Sequence, residues 1–270
     1  MILQENMTLV TGNPIPKLAL GTWQTPDAVA EGAVAAALSM GYRHIDTAVG
    51  YGNESGVGRG IKASGAAREN IFLTSKIPAE VKTYDGAKKT IAESLARLDT
   101  PYLDLMLIHA PRPWSEMRPD AQNRYYDENL AVWEAMQEAY ADGRLRAIGV
   151  SNFQIPDIEN LLKRAKVAPH VNQISVQAGN VNEELIRFCK VRGILVEAYS
   201  PIATGRLLSS PQIGAMAEKY GVSAAQVCIR FVLQLGLVAL PKTVHEAYMK
   251  QNTEVDFVLS EDDMKTLLSL

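Results

Sequence analysis

Residues 41–61 read GYRHIDTAVGYGNESGVGRGI, and their order of residue types indicates the repeating unit of the fold. The short apolar run that ends at Asp46 predicts a β-strand, and the glycine-rich segment after it predicts a loop. Gly41 stands where a preceding helix would end with a left-handed glycine cap. The stretch therefore joins a helix end to a strand and then to a loop.

Units of the same kind recur along the chain. Short runs rich in β-branched and aliphatic residues alternate with amphipathic helical patterns such as NLAVWEAMQEAYADG and SAAQVCIRFVLQLG. Such alternation predicts a parallel sheet, and a (β/α)₈ barrel commonly occupies about 250 residues as one unit. We therefore expect one α/β domain over residues 1–270, a (β/α)₈ TIM barrel. The eight predicted strands are Leu18–Leu20, His44–Asp46, Ile71–Ser75, Leu103–Ile108, Ala147–Val150, Val171–Val176, Leu195–Tyr199 and Leu237–Leu240.

Two segments do not fit this alternation. In MTLVTGNPIPKLALG, two short apolar runs flank the turn pair Gly12-Asn13, which predicts a small N-terminal β-hairpin that caps one end of the barrel. The segment APRPWSEMRPDAQNRYYDEN, over residues 110–129, is polar and proline-rich, so we expect a long loop there. Long loops on a rigid scaffold often carry function.

The composition is that of an ordinary globular protein, with 47% hydrophobic and 21% charged residues. A net charge of −3 without a long basic run predicts neither nucleic-acid binding nor attraction to anionic lipid. The N-terminus lacks the pattern of a signal peptide, and no apolar run approaches the length of a membrane span. We expect a cytoplasmic protein whose partners are small molecules. Cys189 and Cys228 show no zinc-ligand spacing, which predicts two reduced, buried thiols and no metal.

Four chemically distinct side chains stand where a barrel places its active site, at or just beyond the C-terminal ends of strands. Asp46, Lys76 and His109 end the second, third and fourth predicted strands, and Tyr51 lies in the loop after the second. Reduction of a carbonyl needs a hydride at carbon and a proton at oxygen. Tyr51 can supply the proton, because a neighbouring Lys76 ammonium lowers the pKa of a phenol. Asp46 can balance the Lys76 charge, and His109 can orient the substrate oxygen.

Each of these residues also has a plain structural interpretation. A single Asp, Lys or His at a strand end is more often a loop anchor or a solvated charge, and Tyr51 alone could be a packing aromatic. The other histidines are expected to be structural: His44 within a strand, and His170 on the surface where a strand begins. Only the combination of the four side chains favours an active site.

Five motifs give the chain a resemblance to the aldo-keto reductase family that extends over essentially its whole length. They are GYRHIDTAVGYGNESGVGRGI, LARLDTPYLDLMLIH, RAIGVSNF, AYSPI and LPKTVHEAYMKQN, in the family's order. Within the family, the chain is similar to bacterial members of the 2,5-diketo-D-gluconate reductase type. The resemblance implies reduction of an aldehyde, ketone or keto sugar to an alcohol by direct hydride transfer from NAD(P)H, in a monomeric enzyme.

The same resemblance implies the roles of individual residues. Asp46, Tyr51, Lys76 and His109 match the catalytic tetrad, with Tyr51 as proton donor. The implied substrate contacts are Trp23, Tyr51, His109, Ala110 and Trp114. Implied cofactor contacts fall into groups for the ribose, the carboxamide, the nicotinamide face, the pyrophosphate, the 2′-phosphate and the adenine. In chain order they are Gly21, Thr22, Trp23, Asp46, Ser151, Asn152, Gln173, Tyr199, Ser200, Pro201, Ile202, Lys242, Thr243, Val244, His245, Tyr248, Gln251 and Asn252.

Three departures from the family pattern bear on function. Tyr248 occupies the position of an Arg that pairs with the 2′-phosphate, which weakens the preference for NADPH. Lys242 keeps a cation and Thr243 a hydroxyl in this segment, so NADPH is still the expected cofactor and NADH an open alternative. Ala110 replaces a Trp after the catalytic His, which predicts a larger substrate pocket. Trp114, four residues further along, is predicted to fold back and occupy the space that this Trp would fill. Many relatives continue beyond the position of Leu270 into a loop over the substrate, so either that tail lies outside this sequence or the pocket is open.

Two other functional interpretations stay open on the sequence. One is a barrel that binds the nicotinamide cofactor as a regulatory or scaffold subunit with little turnover. The intact tetrad argues against it. The other is a lyase or isomerase on the same scaffold, which would need a phosphate-binding loop or metal ligands at strand ends, and the sequence offers neither pattern.

Overall fold

The computed structural model describes residues 1–118 and 122–270. A two-stranded antiparallel sheet of β1 (Asn6–Thr8) and β2 (Pro14–Pro16) precedes an eight-stranded parallel sheet whose neighbours follow chain order. Backbone hydrogen bonds from Ala19 and Gly21 to the last strand region close that sheet into a barrel. The barrel strands are β3 (Leu20–Gly21), β4 (His44–Asp46), β5 (Phe72–Ile77), β6 (Leu105–Ile108), β7 (Ile148–Ser151), β8 (Val171–Ser175), β9 (Leu195–Tyr199) and β10 (Val238–Leu240).

Helices follow the barrel strands and cover the outside of the sheet, which confirms the predicted (β/α)₈ architecture. Two helices separate β9 from β10, and two more follow β10. In chain order they are α1 (Asp27–Ser39), α2 (Glu54–Ser64), α3 (Tyr84–Arg97), α4 (Tyr126–Ala141), α5 (Ile155–Leu162), α6 (Glu183–Lys190), α7 (Pro211–Tyr220), α8 (Ala224–Gln234), α9 (Glu246–Thr253) and α10 (Glu261–Leu268). No helix in the described ranges combines the length and apolar character needed to cross a membrane.

The predicted hairpin is present and closes one end of the barrel. Gly12, in the turn between β1 and β2, has φ +85°, a conformation that glycine adopts without steric cost. Leu9 and Ile15 of this hairpin belong to the cluster of buried side chains that fills the barrel interior, together with Phe72 and Leu107. The hairpin therefore seals the N-terminal end of the barrel and leaves the opposite end for the site.

Glycines of α2 allow this helix to lie unusually close to α1. A Cβ atom on Gly60 would lie 2.6 Å from the carbonyl oxygen of Glu31 and 2.8 Å from Val34 Cβ, so no larger residue fits there without movement. The Gly56 amide also donates to Asp27 Oδ1 at 2.5 Å. This close contact fixes the start of α2, and with it the loop that carries Tyr51.

Two sequence predictions about local environment have different outcomes. Cys189 and Cys228 are free and buried, as expected. The surface position predicted for His170 is wrong, because the residue is only 4% exposed. Its Nδ1 accepts a hydrogen bond from the Ile148 amide at 3.1 Å, and its ring packs 5.3 Å from that of Tyr140, so it joins two elements of the core.

The predicted long loop after β6 is shorter than the polar segment suggested. Residues 126–129 belong to the first turn of α4, and Trp114–Glu116 forms one turn of 3₁₀ helix within the loop. Pro119, Asp120 and Ala121 of this predicted loop lie outside the described residues. The part next to β6 nevertheless reaches the end of the barrel at which the candidate site lies.

Candidate active site

Asp46 and Lys76 meet inside the barrel at the C-terminal ends of adjacent strands β4 and β5. Lys76 Nζ donates to both carboxylate oxygens of Asp46, at 2.9 and 2.8 Å, and to the Thr47 carbonyl at 2.8 Å. The same ammonium lies 3.3 Å from Tyr51 Oη. Lys76 is fully buried, and burial by itself lowers the pKa of Lys76. The charge of Asp46 and the hydrogen bonds outweigh burial, so the pKa of Lys76 is raised.

Tyr51 stands on a short 3₁₀ turn whose position is fixed by Asn53. The Asn53 side chain donates to the carbonyls of Thr22 and Thr25, at 2.8 and 2.9 Å, and accepts from Thr47 Oγ1 at 2.8 Å. These bonds tie the loop after β4 to the loop after β3. They explain why an Asn follows the tyrosine so closely in the chain, since a buried amide with all its partners holds a loop in one conformation.

The pKa of Tyr51 is raised above its ordinary value, which differs from the sequence expectation. Burial of the phenol is the largest cause, and the charge of Asp46 adds to it. Lys76 acts in the expected direction and lowers the pKa of Tyr51, but it only partly offsets the burial. Tyr51 is therefore protonated at neutral pH, as a proton donor must be.

His109 follows β6 and faces Tyr51 across the same space, with ring centroids 5.5 Å apart. Burial lowers the pKa of His109 to about 3, and the charge of Lys76 acts in the same direction. The imidazole is therefore neutral, and its buried Nδ1 makes no hydrogen bond to any part of the chain that the structure describes. Trp114 stands edge-on to His109, with ring centroids 5.1 Å apart.

Asp46, Tyr51, His109 and Trp114 line a cavity of about 700 Å³ at the open end of the barrel, and Lys76 does not line it. Eleven of the residues predicted to contact cofactor line it, and they come from six barrel strands or the loops that follow them. They are Gly21, Trp23, Asp46, Ser151, Asn152, Gln173, Tyr199, Ser200, Pro201, Ile202 and Lys242. Of the predicted substrate contacts, Trp23, Tyr51, His109 and Trp114 line the same cavity.

The remaining predicted cofactor residues lie away from the cavity wall. Thr22 is buried, and its hydroxyl donates to the Asp46 carbonyl at 3.0 Å. The others follow Lys242 along the loop into α9, where Tyr248 is 57% exposed and its ring lies 5.5 Å from that of His245. The predicted cofactor residues in this stretch that do not line the cavity are Thr243, Val244, His245, Tyr248, Gln251 and Asn252.

Ala110 does not line the cavity, so its predicted place among the substrate contacts is not borne out by the geometry. The residue is completely buried, and its carbonyl accepts from Lys82 Nζ at 3.0 Å. The chain turns away from the mouth after His109, so the Ala110 methyl group points into protein. Trp114, which returns to the mouth, covers the face of the site next to His109.

Five further cavity residues were absent from the sequence prediction: Gln24, Gly50, Thr204, Gly205 and Leu240. A general rule could have found most of them, because loops after barrel strands form the active-site face. The backbone gives a second signal. Gln24, Asn152, Ser200 and Thr204 all have positive φ, between 52° and 62°, and all line the cavity. Non-glycine residues in this region store strain and tend to cluster at functional sites.

The polar groups of the cavity fit a nicotinamide ring with its carboxamide. Tyr199 Oη donates to Asn152 Oδ1 at 2.8 Å, and the Asn152 amide donates to the His109 carbonyl and to Ser151 Oγ. This chain of bonds fixes an aromatic ring and an amide side by side on the wall. Gln173 adds an amide oxygen that has no hydrogen bond within residues 1–118 and 122–270.

Comparison with known proteins agrees with this geometry. A model of the Aldo/keto reductase family matches residues 17–270. The chain belongs to the aldo-keto reductase family. It is 41% identical to a glyoxal reductase of Bacillus subtilis, over 99% of this chain and 93% of that protein. It is also 41% identical to an aldehyde reductase of Saccharomyces cerevisiae, over 98% and 90% of the two chains.

Solved structures of aldo-keto reductases share the fold closely. One from Brucella melitensis superposes with a TM-score of 0.89 at 38% identity, covering 98% of each chain. Another, from Bombyx mori and in complex with NADP, gives a TM-score of 0.86 at 34% identity, covering 98% of this chain and 92% of that one. The chain is therefore an NAD(P)H-dependent oxidoreductase that reduces carbonyl groups.

Proposed function

We propose that this aldo-keto reductase is a carbonyl reductase that converts aldehydes, ketones or keto sugars to alcohols, with Tyr51 as the proton donor. The observation that carries the proposal is the position of Tyr51 Oη, on the cavity wall and 3.3 Å from the ammonium of the buried Lys76. No other acid in the cavity combines such a neighbour with a proton that it keeps at neutral pH.

The Lys76 ammonium favours proton transfer from Tyr51 in two ways. Because Lys76 donates to Tyr51 Oη, the hydrogen of the phenol stays available to a substrate oxygen. When that proton leaves, the ammonium stabilises the tyrosinate, an effect that acts on the charge that develops during the reaction. Asp46 and the Thr47 carbonyl hold the ammonium in place and keep it charged.

His109 is proposed to orient the carbonyl. Its neutral ring, 5.5 Å from that of Tyr51, can donate one hydrogen bond to the substrate oxygen without adding a positive charge. Two donors that converge on one oxygen would polarise the carbonyl and fix its direction. Trp23 and Trp114, which are 45% and 47% exposed at the mouth, would enclose the rest of the substrate.

NADPH is the proposed cofactor, and when bound its reduced nicotinamide supplies the hydride to the carbonyl carbon. Ser151, Asn152 and Gln173 would hold the carboxamide and Tyr199 would contact the ring face. Lys242 is the cationic residue among those lining the cavity, which favours a 2′-phosphate nearby. Tyr248 offers no such charge, so NADH use is retained as the weaker alternative.

The remaining parts of the proposal concern the setting of the enzyme. We propose a monomer in the cytoplasm that acts on small molecules and needs neither nucleic acid nor membrane. The modest net charge of −3, without a long basic run, supports the part of this proposal that excludes nucleic acid. Sedimentation at micromolar concentration would test the oligomeric state.

The decisive experiment is Tyr51→Phe, with Tyr84→Phe as the matched control because Tyr84 lies on α3, outside the cavity. Turnover of NADPH would be followed with a panel of aldehydes and ketones that includes glyoxal, the substrate in one relative's name. We expect Tyr51→Phe to lower kcat by about 10²- to 10⁴-fold while the Kd for NADPH is unchanged. Binding of NADPH by the wild type without turnover of any carbonyl would favour the regulatory or scaffold barrel instead.

A further inference from the structure

A buried carboxyl group lies inside the barrel beneath the cavity floor. Glu197 is the central residue of β9, which otherwise carries aliphatic side chains up to Tyr199, and it is completely buried. It does not line the cavity. A carboxyl group in an apolar interior is costly unless it makes hydrogen bonds, so its contacts deserve a physical explanation.

Gln173, on the neighbouring strand β8, joins this carboxyl group to the proposed catalytic residues. Its amide nitrogen donates to Glu197 Oε2 at 2.8 Å and to Asp46 Oδ1, also at 2.8 Å. Because one nitrogen contacts two carboxyl oxygens, both of its hydrogens are used inside the barrel. The amide oxygen is left as the polar atom of Gln173 that can serve a ligand, and Gln173 lines the cavity.

Glu197 can keep this role because it is held without charge. Burial raises the pKa of Glu197 to about 8, and the charge of Asp46 contributes further. On its far side, Oε1 lies 3.6 Å from Nε2 of His44. His44 Nδ1 lies 3.3 Å from the Pro16 carbonyl, which can only accept, so the neutral ring carries its hydrogen there and Nε2 is an acceptor. Nε2 pairs instead with Thr74 Oγ1 at 3.2 Å, and Glu197 Oε1 makes no hydrogen bond within the described residues. The hydrogen bond that Glu197 makes is the one that Oε2 accepts from Gln173.

We propose that Glu197 is a positioning residue that fixes the side-chain amide of Gln173, with nitrogen toward the barrel interior and oxygen toward the cofactor carboxamide. The inference rests on the proposed cofactor-binding role of Gln173. Its specific consequence is that Gln173 can only accept, so it recognises the NH₂ group of the carboxamide and not its carbonyl. Asp46 alone would hold one amide hydrogen and would leave the amide free to rotate about that contact.

The test compares three ligands whose binding is measured without turnover. NADP⁺ carries the full carboxamide. Its 3-acetylpyridine analogue has a methyl group in place of the carboxamide nitrogen. The third ligand, ADP-ribose 2′-phosphate, lacks the nicotinamide altogether. One lost hydrogen bond predicts that the wild type binds the acetyl analogue about two- to tenfold more weakly than NADP⁺. Dissociation constants would be measured by calorimetry at pH 6.5.

Two variants of Glu197 separate positioning from structure. Glu197→Met removes the acceptor at nearly constant volume, and we expect the ratio of the two dinucleotide Kd values to fall close to one. Glu197→Gln keeps an acceptor oxygen for Gln173, and it should retain the ratio of the wild type. The Kd for ADP-ribose 2′-phosphate should be the same in the wild type, Glu197→Met and Glu197→Gln. If Glu197→Met does not fold, Glu197→Val is the second apolar variant, suited to a strand position.

Other outcomes would overturn the inference. An unchanged ratio in the apolar variant that folds, Glu197→Met or Glu197→Val, would show that Asp46 alone orients Gln173. Equal weakening of all three ligands would show a structural role. Failure of the proposed cofactor role of Gln173 would give a different result. The ratio of the Kd for the acetyl analogue to the Kd for NADP⁺ would then be the same in the wild type and in Gln173→Leu, and substitutions of Glu197 would not change it.

Discussion

Lys76 Nζ lies 2.8 Å from Asp46 Oδ2 inside the barrel, and the two side chains are 0% and 6% exposed. Removing one partner of such a pair leaves a buried charge uncompensated, at a cost of about 3–5 kcal/mol. We therefore expect Lys76→Met and Asp46→Leu each to lower the free energy of unfolding by about this amount, measured in urea.

The double variant is the control for this prediction. With both charges removed, the double variant should lose much less unfolding free energy than the sum of the two single losses, because it leaves no buried charge without a partner. Strict additivity of the two losses would contradict the pairing. All three variants should lack turnover, so activity alone would not distinguish them.

Trp114 is the residue that we expect to limit the size of the substrate. Its ring lies against His109 and lines the cavity, and it is about half exposed, so the side chain can be removed without opening the core. Trp114→Ala should raise KM for small aldehydes and improve kcat/KM for bulky aryl ketones. Met117→Ala, an exposed change on the same loop, should leave this profile unaltered. Equal effects on small and bulky substrates would argue against Trp114 as a wall of the pocket.

Tyr248 offers a test of cofactor choice. The residue is exposed on α9, about one turn from Lys242–His245, so an arginine can be accommodated there without repacking. Tyr248→Arg should lower KM for NADPH by roughly tenfold or more, the scale of one charge-assisted hydrogen bond, and leave KM for NADH unchanged. Tyr248→Lys should give a smaller gain, because an ammonium lacks the planar fork of a guanidinium. A parallel improvement with NADH would refute a 2′-phosphate contact.

Stability should pass through a maximum near pH 6.5. Burial lowers the pKa of His44 and of His170 to about 4, from 6.5 in an unfolded chain. Between these values the unfolded state binds more protons, so the free energy of unfolding rises with pH. Glu197 acts in the opposite sense: its pKa of about 8, against 4.5 when unfolded, makes the folded state hold the extra proton and stability fall as pH rises toward 8.

Urea denaturation from pH 4.5 to 8.5 would measure both limbs of this curve. Glu197→Gln should remove the decline above pH 6.5 and leave the acid limb in place. His170→Asn should make the acid limb shallower, and His245→Asn, an exposed change, should alter neither limb. A decline above pH 6.5 that persists in Glu197→Gln would assign it to other groups.

The sequence was sufficient to predict the barrel and the meeting of Asp46, Tyr51, Lys76 and His109 at one end of it. Apolar runs of strand length, separated by amphipathic helices, leave few other architectures, and the C-terminal ends of parallel strands share one face. That rule does not fix side-chain directions. Ala110 follows His109 immediately, yet one lies in the core and the other on the cavity, because the chain turns between them.

Glu197 and His170 were harder to interpret for a related reason. A glutamate among aliphatic residues in LVEAY is a visible anomaly, but its partner Gln173 lies 24 residues away and meets it only through the register of β8 and β9. His170 begins a strand, a position that is often solvated, and its burial depends on Tyr140 and Ile148 from other elements. Pairings of this kind exist only in three dimensions.

Closure of the sheet through Gly21 and Lys242 has a consequence for behaviour in concentrated solution. Every one of the eight barrel strands described has a hydrogen-bonded neighbour on both sides. A strand from another molecule therefore finds no unpaired row of amides and carbonyls on the barrel onto which it could add. Self-association into fibrils would require the barrel to open first, so resistance to aggregation should track the stability of the fold itself.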